Sequence, residues 1–338
     1  MNDVMEGLMS KVGIIATGVG GIALIVVAFS PATSDQFAQN FLNGITFGLL
    51  LALASVGLSL IYGTTGLSNF AHGEQVTFGA VMTYVLATEE LVSFPLIPYE
   101  FSIGLPLWLA AVIAVILAGA TGWLQDAALW SPLRRRGVGV VQQMIVSIGL
   151  SLAALNFIQW WIGGRRVRLS KAIDERWNIG PVQLGQFTLI SMIIAVLALA
   201  GVAYFLLRTR LGRATRAVAD NPALASASGI TVNRIIRLVW VLSAALAGLG
   251  GILLAMYENG TAFDAGARML LLMFAAVTLG GLGHPFGALA GSVVIGLVTE
   301  LSTVWVGADL KYAVALGILI LVLLFRPQGI LGRAERVG

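Results

Sequence analysis

GLSNFAHGEQVTFGA, Gly66 to Ala80, sets five polar residues (Ser68, Asn69, His72, Glu74 and Gln75) between apolar runs, and it holds one of only two histidines in the chain. The run before it, residues 40–62, carries no charged residue and is long enough to cross about 30 Å of hydrocarbon as a helix. The polar knot is therefore a loop in water, a ligand site, or part of a path through a membrane.

Composition decides the setting. Of the 338 residues 58% are apolar and 11% charged, whereas soluble domains carry about 25% charged residues. In a bilayer the backbone must bond to itself, so spans are helices or closed barrels. The apolar runs are long and continuous, unlike the alternating ten-residue strands of a barrel. The expected fold is all-α, a polytopic transmembrane helical bundle.

Ten hydrophobic segments stand out: 12–29, 40–62, 76–88, 103–124, 139–162, 188–207, 237–257, 269–281, 286–304 and 311–325. The first reads as a retained helix and not as a cleaved signal, because Pro31 follows it and acidic residues precede it. The third and eighth are short, and each adjoins a Gly-rich polar stretch, a pattern that marks central elements in transporters. GLGHPFGALAG (281–291) enters the ninth segment much as the knot enters the third. A diverged internal repeat and chance similarity both account for that.

Basic residues set the orientation. Arg134 to Arg136, the arginines between 208 and 237, and Arg326, Arg333 and Arg336 fall on one side for ten spans, the cytoplasmic side by the positive-inside rule. Both termini are then cytoplasmic. The loop 163–187 dissents, with Arg165, Arg166, Arg168, Lys171 and Arg176 on the outer side.

Several chemistries are absent. All three lysines lack the preceding glycine of a phosphate-binding loop. There is no cysteine, and two histidines more than 200 positions apart do not suggest a metal site. No cofactor and no nucleic-acid partner are expected. Small residues recur every four positions at Gly44, Gly48 and Ala52, at Ser243, Ala247 and Gly251, and at Gly287 and Gly291, which predicts a tightly crossed bundle. Among polar residues within spans, Glu300 is either a helix-end group or part of a path. Gln142 and Gln143, with Ser147, Ser151 and Asn156, either bond neighbouring helices or line one.

The loop 208–237, RTRLGRATRAVADNPALASASGITVNRIIR, carries its own helix signals. Asp220-Asn221-Pro222 is a start and Gly229 a stop, so a short helix at about 222–228 is expected across the cytoplasmic face. Its small side chains, Ala225 among them, suit a protein groove better than a lipid surface.

Four stretches taken together resemble the LivH-type permeases of branched-chain amino acid ABC importers. They are residues 43–80, GRATRAVADNPALASASGI (212–230), TLGGLGHPFGALAGSVVIGLVTE (278–300) and LFRPQGILG (324–332), in the family's order. The resemblance implies a single permease domain over 1–338 in a bacterial inner membrane. It also implies a LivM-like second permease, two cytoplasmic ATP-binding subunits and a periplasmic substrate-binding protein. Residues 208–237 become the loop received by an ATPase, with Arg213, Arg216, Asp220, Asn221, Pro222, Ala225 and Gly229 as its contact and shaping residues. The coupling pattern of importers in general begins Glu-Ala-Ala; its counterpart here reads Ala219-Asp220-Asn221, a departure typical of this branch, with Gly229 in the glycine position. Asn69, His72, Glu74, Gln142, Gln143 and Glu300 are the candidates for the path or its gate, and no residue is expected to be catalytic. The rival reading is a stand-alone channel or secondary carrier for small polar solutes.

Overall fold

The computed structural model describes residues 34–90, 92–94, 97–169, 175–307, 310–325 and 329. The segment expected at 12–29 lies outside them. The described chain is mostly helical. In order it comprises α1 (Ser34–Thr65), α2 (His72–Ala87), α3 (Leu107–Gln125), α4 (Ser131–Arg135), α5 (Val140–Ile162), α6 (Gln186–Arg208), α7 (Arg210–Asp220), α8 (Pro222–Ala227), α9 (Val232–Tyr257), α10 (Ala265–Gly280), α11 (Pro285–Leu301) and α12 (Lys311–Phe325). A π turn, Asp126–Trp130, joins α3 to α4 without a break. Six helical stretches among the described residues are long and apolar enough to cross a membrane, namely α1, α3 through α4, α5, α6, α9, and α11 with the turn after it. The chain is thus a helical membrane protein.

The all-α expectation needs one correction. Strands β1 (Val92–Phe94) and β2 (Ile97–Phe101) pair antiparallel, as do β3 (Arg176–Ile179) and β4 (Val182–Gly185). The second hairpin had a local signal, alternation on both sides of Gly180-Pro181, with Gly180 at φ +62° supplying the turn.

α1 is the central helix. In its most apolar stretch 89% of residues are buried, against 11% for α5. A side chain at Gly44 or Gly48 would strike the α11 backbone, at Leu297 and Val293 respectively, both 2.9 Å away. Gly291 lies as close to Ala276 of α10, and Gly251 to Val76 of α2. The small-residue faces read from the sequence are therefore the crossing faces, where dispersion between close backbones replaces the hydrophobic drive that lipid removes.

The outward faces are the reverse of a soluble protein's. Val141, Ile145, Ile148 and Leu152 of α5, spaced by four, three and four, are all exposed. Apolar stripes turned outward suit hydrocarbon or another membrane helix.

Candidate functional site

Long-range contacts divide the bundle into two ends. At one, Asp126 in the π turn meets Arg237 of α9, so Arg134 to Arg136 and the arm α7–α8 lie together. At the other, Gln39 of α1 exchanges hydrogen bonds with the backbone of Gln183, and Val167 bridges Thr261 beyond α9. The arginine-rich loop after α5 is thus at the end opposite the arm, with α6 running between them. Arg166 is held there by the Glu258 carboxylate at 2.9 Å.

The knot departs from its expected depth. As the connection that follows the charge-free run 40–62, residues 63–75 would lie at one end of that span. His72 Nε2–H instead donates to the Ala54 carbonyl at 3.0 Å, about 16 Å back along α1 from Thr65 at 1.5 Å per residue. After α1 the chain turns at Gly66 (φ +70°), descends beside that helix and starts α2 near mid-depth. The Asn69 side chain shapes the entry by accepting from the Ala71 amide at 3.1 Å. Gly57 leaves room for the return, because a Cβ there would sit 2.8 Å from the Ser243 carbonyl and 3.3 Å from His72 Nε2.

From there α2 spends its polar residues on four helices. His72 reaches α1, Glu74 Oε1 accepts from Ser151 of α5 at 3.1 Å, and Gln75 Oε1 accepts from Thr121 of α3 at 2.8 Å. Thr77 Oγ1 accepts from the Gly266 amide of α10 at 2.9 Å. The Phe70 amide adds a bond to Ser147 Oγ at 3.1 Å. Asn69, His72, Glu74 and Gln75 are all buried. Two of their atoms, Asn69 Nδ2 and Glu74 Oε2, have no partner among the described residues, as have the buried hydroxyls of Ser55, Ser59 and Ser243.

α2 and α10 are the two short helices expected beside Gly-rich stretches, and they cross at their first turns. A Cβ on Gly73 would lie 2.5 Å from the Gly266 carbonyl. His284, matched to His72 in the sequence comparison, occupies a different place: it precedes α11 at the arm end and is only partly buried.

The remaining path candidates stay apart from the knot. Gln143, in the first turn of α5, ties that helix to the preceding loop, its Nε2 donating to the Val138 carbonyl at 2.8 Å, and Gln142 beside it is exposed. Glu300 sits at the far end of α11 and pairs with Lys311 Nζ at 2.8 Å, tying α11 to α12. The Lys311 ammonium also lies over the Phe47 and Tyr312 rings. Reading the sequence did not single out Thr121, Thr77 or Asp126. For Asp126 a signal existed: a lone acid at the end of an apolar span, eight residues before three arginines.

The arm is built locally. Thr209 caps α7 through the Gly212 amide, and Asn221 Oδ1 accepts from the Leu224 amide to cap α8, with Pro222 in the first turn. Gly229, at φ +84°, closes α8: its amide bonds Ser226 and that of Ile230 bonds Ala225, both at 3.0 Å. Arg213, Arg216 and Asp220 are exposed. Ala225 is buried against its own chain, whereas Leu224 next to it is 65% exposed. The outward apolar contact of α8 is therefore Leu224.

A model of the family described as branched-chain amino acid transport system / permease component matches residues 40–323. The chain belongs to this family. It is 32% identical over 309 residues to the high-affinity branched-chain amino acid transport system permease protein LivH of Escherichia coli (strain K12), covering 88% of this chain and 96% of that protein. To the corresponding protein BraD of Pseudomonas aeruginosa it is 32% identical over 314 residues, covering 89% and 97%. The ribose import permease protein RbsC of Escherichia coli (strain K12) is 26% identical over 286 residues, 82% of each chain. No solved structure matches. The relatives are permease components, which agrees with the absence of a phosphate-binding loop or catalytic cluster from this permease's sequence.

Proposed function

We propose that the chain is one permease of an ATP-driven importer for branched-chain or related amino acids, forming half of the translocation path. Identity of 32% over 88% of the chain to a branched-chain amino acid permease carries this reading. The likeness to a ribose permease argues that the helical scaffold is general, so selectivity belongs largely to a binding protein. The working assembly is then this chain, a LivM-like second permease, two cytoplasmic ATPases and a periplasmic binding protein in a bacterial inner membrane. The arm end faces the cytoplasm with both termini, and residues 208–237 dock in an ATPase. Arg213 and Arg216 lie at the rim of that contact. Asp220, Asn221, Pro222 and Gly229 hold the shape of α8, and Ala225 seats it on the bundle. Asn69, His72 and Glu74 act on gating, since their bonds join the helices that would have to move. Glu300, Gln142 and Gln143 brace the wall of the path.

The test is reconstitution. The chain with its three kinds of partner in proteoliposomes should accumulate leucine only with ATP and binding protein, in competition with isoleucine and valine. The chain alone should give no leucine flux. Rapid specific flux through it without ATP would establish the stand-alone carrier instead.

A further inference from the structure

We infer that Asp126 ties the coupling arm to the α3–α4 corner, so that a push on α8 moves both as one lever. The inference rests on the importer reading above.

Asp126 is fully buried, and each of its carboxylate oxygens takes one guanidinium. Arg134 Nη2 of α4 donates to Oδ1 at 2.6 Å, and Arg237 Nε of α9 donates to Oδ2 at 3.1 Å. The two arginines come from separate segments. Arg134 begins the arginine triplet, and Arg237 lies in the second turn of α9, directly after the arm. One buried acid thus joins the root of the arm to the corner opposite it. Charge-assisted pairs of this kind are directional, and burial shields the carboxylate from competing water while the Arg237 side chain stays 38% exposed.

The neighbouring contacts reinforce the same seam. Asp126 opens the π turn, a local widening of the helix that is rare and concentrated at functional sites. The turn lays the Trp130 ring against that of Trp240, one turn along α9 from Arg237, with centroids 5.4 Å apart and planes at 14°. Gly122, one turn earlier in α3, lets the two backbones touch, since a Cβ there would lie 2.5 Å from the Trp240 carbonyl. Backbone contact, ion pair and ring stack follow one another along α3 and the π turn, at Gly122, Asp126 and Trp130, against Arg237 and Trp240 of α9. Nothing in that stack yields readily to sliding, so a displacement of α9 at the arm carries α3 and α4 with it. α8 is stapled to the bundle through Ala225 and sits just before α9, where a force from the ATPase would enter.

The experiment uses the complete importer in proteoliposomes and measures leucine uptake and ATP hydrolysis in the same samples. Asp126→Asn keeps the size and loses the charge. Arg237→Gln cuts one side of the tie and leaves Arg134 on the acid. Both should leave hydrolysis within about twofold and lower uptake per ATP at least tenfold. Arg237→Lys, which keeps the cation, should recover most of that ratio, and Arg135→Gln, an exposed neighbour, should leave it unchanged. A purely structural role predicts that assembly, hydrolysis and uptake fall together at constant ratio, which would overturn the proposal. Should Asp126→Asn fail to assemble, the ratio measured for Arg237→Gln decides. Absence of uptake in the unmodified importer would instead overturn the importer reading itself.

Discussion

In the knot, His72, Glu74, Gln75 and Thr77 each bond a different helix. In the arm, Arg210, Arg213 and Arg216 are exposed and have no acidic partner among the described residues, and Leu224 stands out beside them. The two regions spend polarity in opposite ways. A polar group within a bundle satisfies itself internally or costs several kcal/mol, so the knot's bonds close inside the chain, Asn69 Nδ2 and Glu74 Oε2 excepted. The arm's groups remain free to meet another protein. The knot should therefore answer to substitution through the permease's own stability and motion, and the arm through coupling alone.

The largest effect should come from crowding the helices around the knot. Gly251→Val would drive a side chain into the Val76 carbonyl. Backbone cannot yield there, so the cost should exceed about 3 kcal/mol. Detergent-stable permease recovered from membranes should fall at least tenfold, and near-normal recovery would contradict the close α2–α9 crossing.

On the arm, Gly229→Val should do the opposite. A branched side chain at φ +84° costs about 1–2 kcal/mol, yet a Cβ there meets nothing within 4 Å. Leu224→Asp puts a charge on the exposed apolar contact. For both we expect normal recovery and pairing with the second permease, and uptake lowered tenfold or more. A loss of recovery with unchanged uptake per molecule would erase the distinction between the regions.

Within the knot, His72→Ala removes a buried hydrogen bond worth about 0.5–1.5 kcal/mol and opens a small cavity. Glu74→Gln keeps an acceptor for Ser151. Uptake should fall severalfold for the first and less for the second, with the order of preference among leucine, isoleucine and valine unchanged. A changed order, measured by competition, would put the knot in contact with cargo.

The smallest effect belongs to the arm's charges. Arg213→Gln removes an exposed cation, and exposed pairs contribute about 1 kcal/mol or less. Uptake should stay within about twofold, with the difference shrinking as salt rises. A tenfold loss would show that docking depends on charge more than on the shape of α8.

Some of this was legible beforehand. The segments read at 139–162 and 311–325 match α5 and α12 nearly end to end, because a long apolar run admits only a helix in hydrocarbon. The bounds of α8 were legible from Asn221, Pro222 and Gly229, whose effects act within one turn. The depth of the knot was not. Counting spans treats each loop as lying at a surface, and the chain from Gly66 to Ala71 instead turns back beside α1. The partners of Gln143 and Glu300 were not legible either: both are polar within apolar runs, and they bond the Val138 carbonyl just before α5 and Lys311 at the start of α12.

The sequence by itself determined that this protein is a helical membrane permease with close glycine crossings and a capped arm. Hydropathy, small-residue spacing and caps are local properties, and lipid enforces them regardless of what lies next to them. Tertiary structure alone decided which polar groups meet: Thr121 with Gln75 across 46 positions, Ser151 with Glu74 across 77, Arg237 with Asp126 across 111 and Gly266 with Thr77 across 189. A hydrogen bond has a reach of about 3 Å and no memory of sequence distance. Only the packed bundle, in which backbones touch at Gly57, Gly73 and Gly122, brings those groups within it.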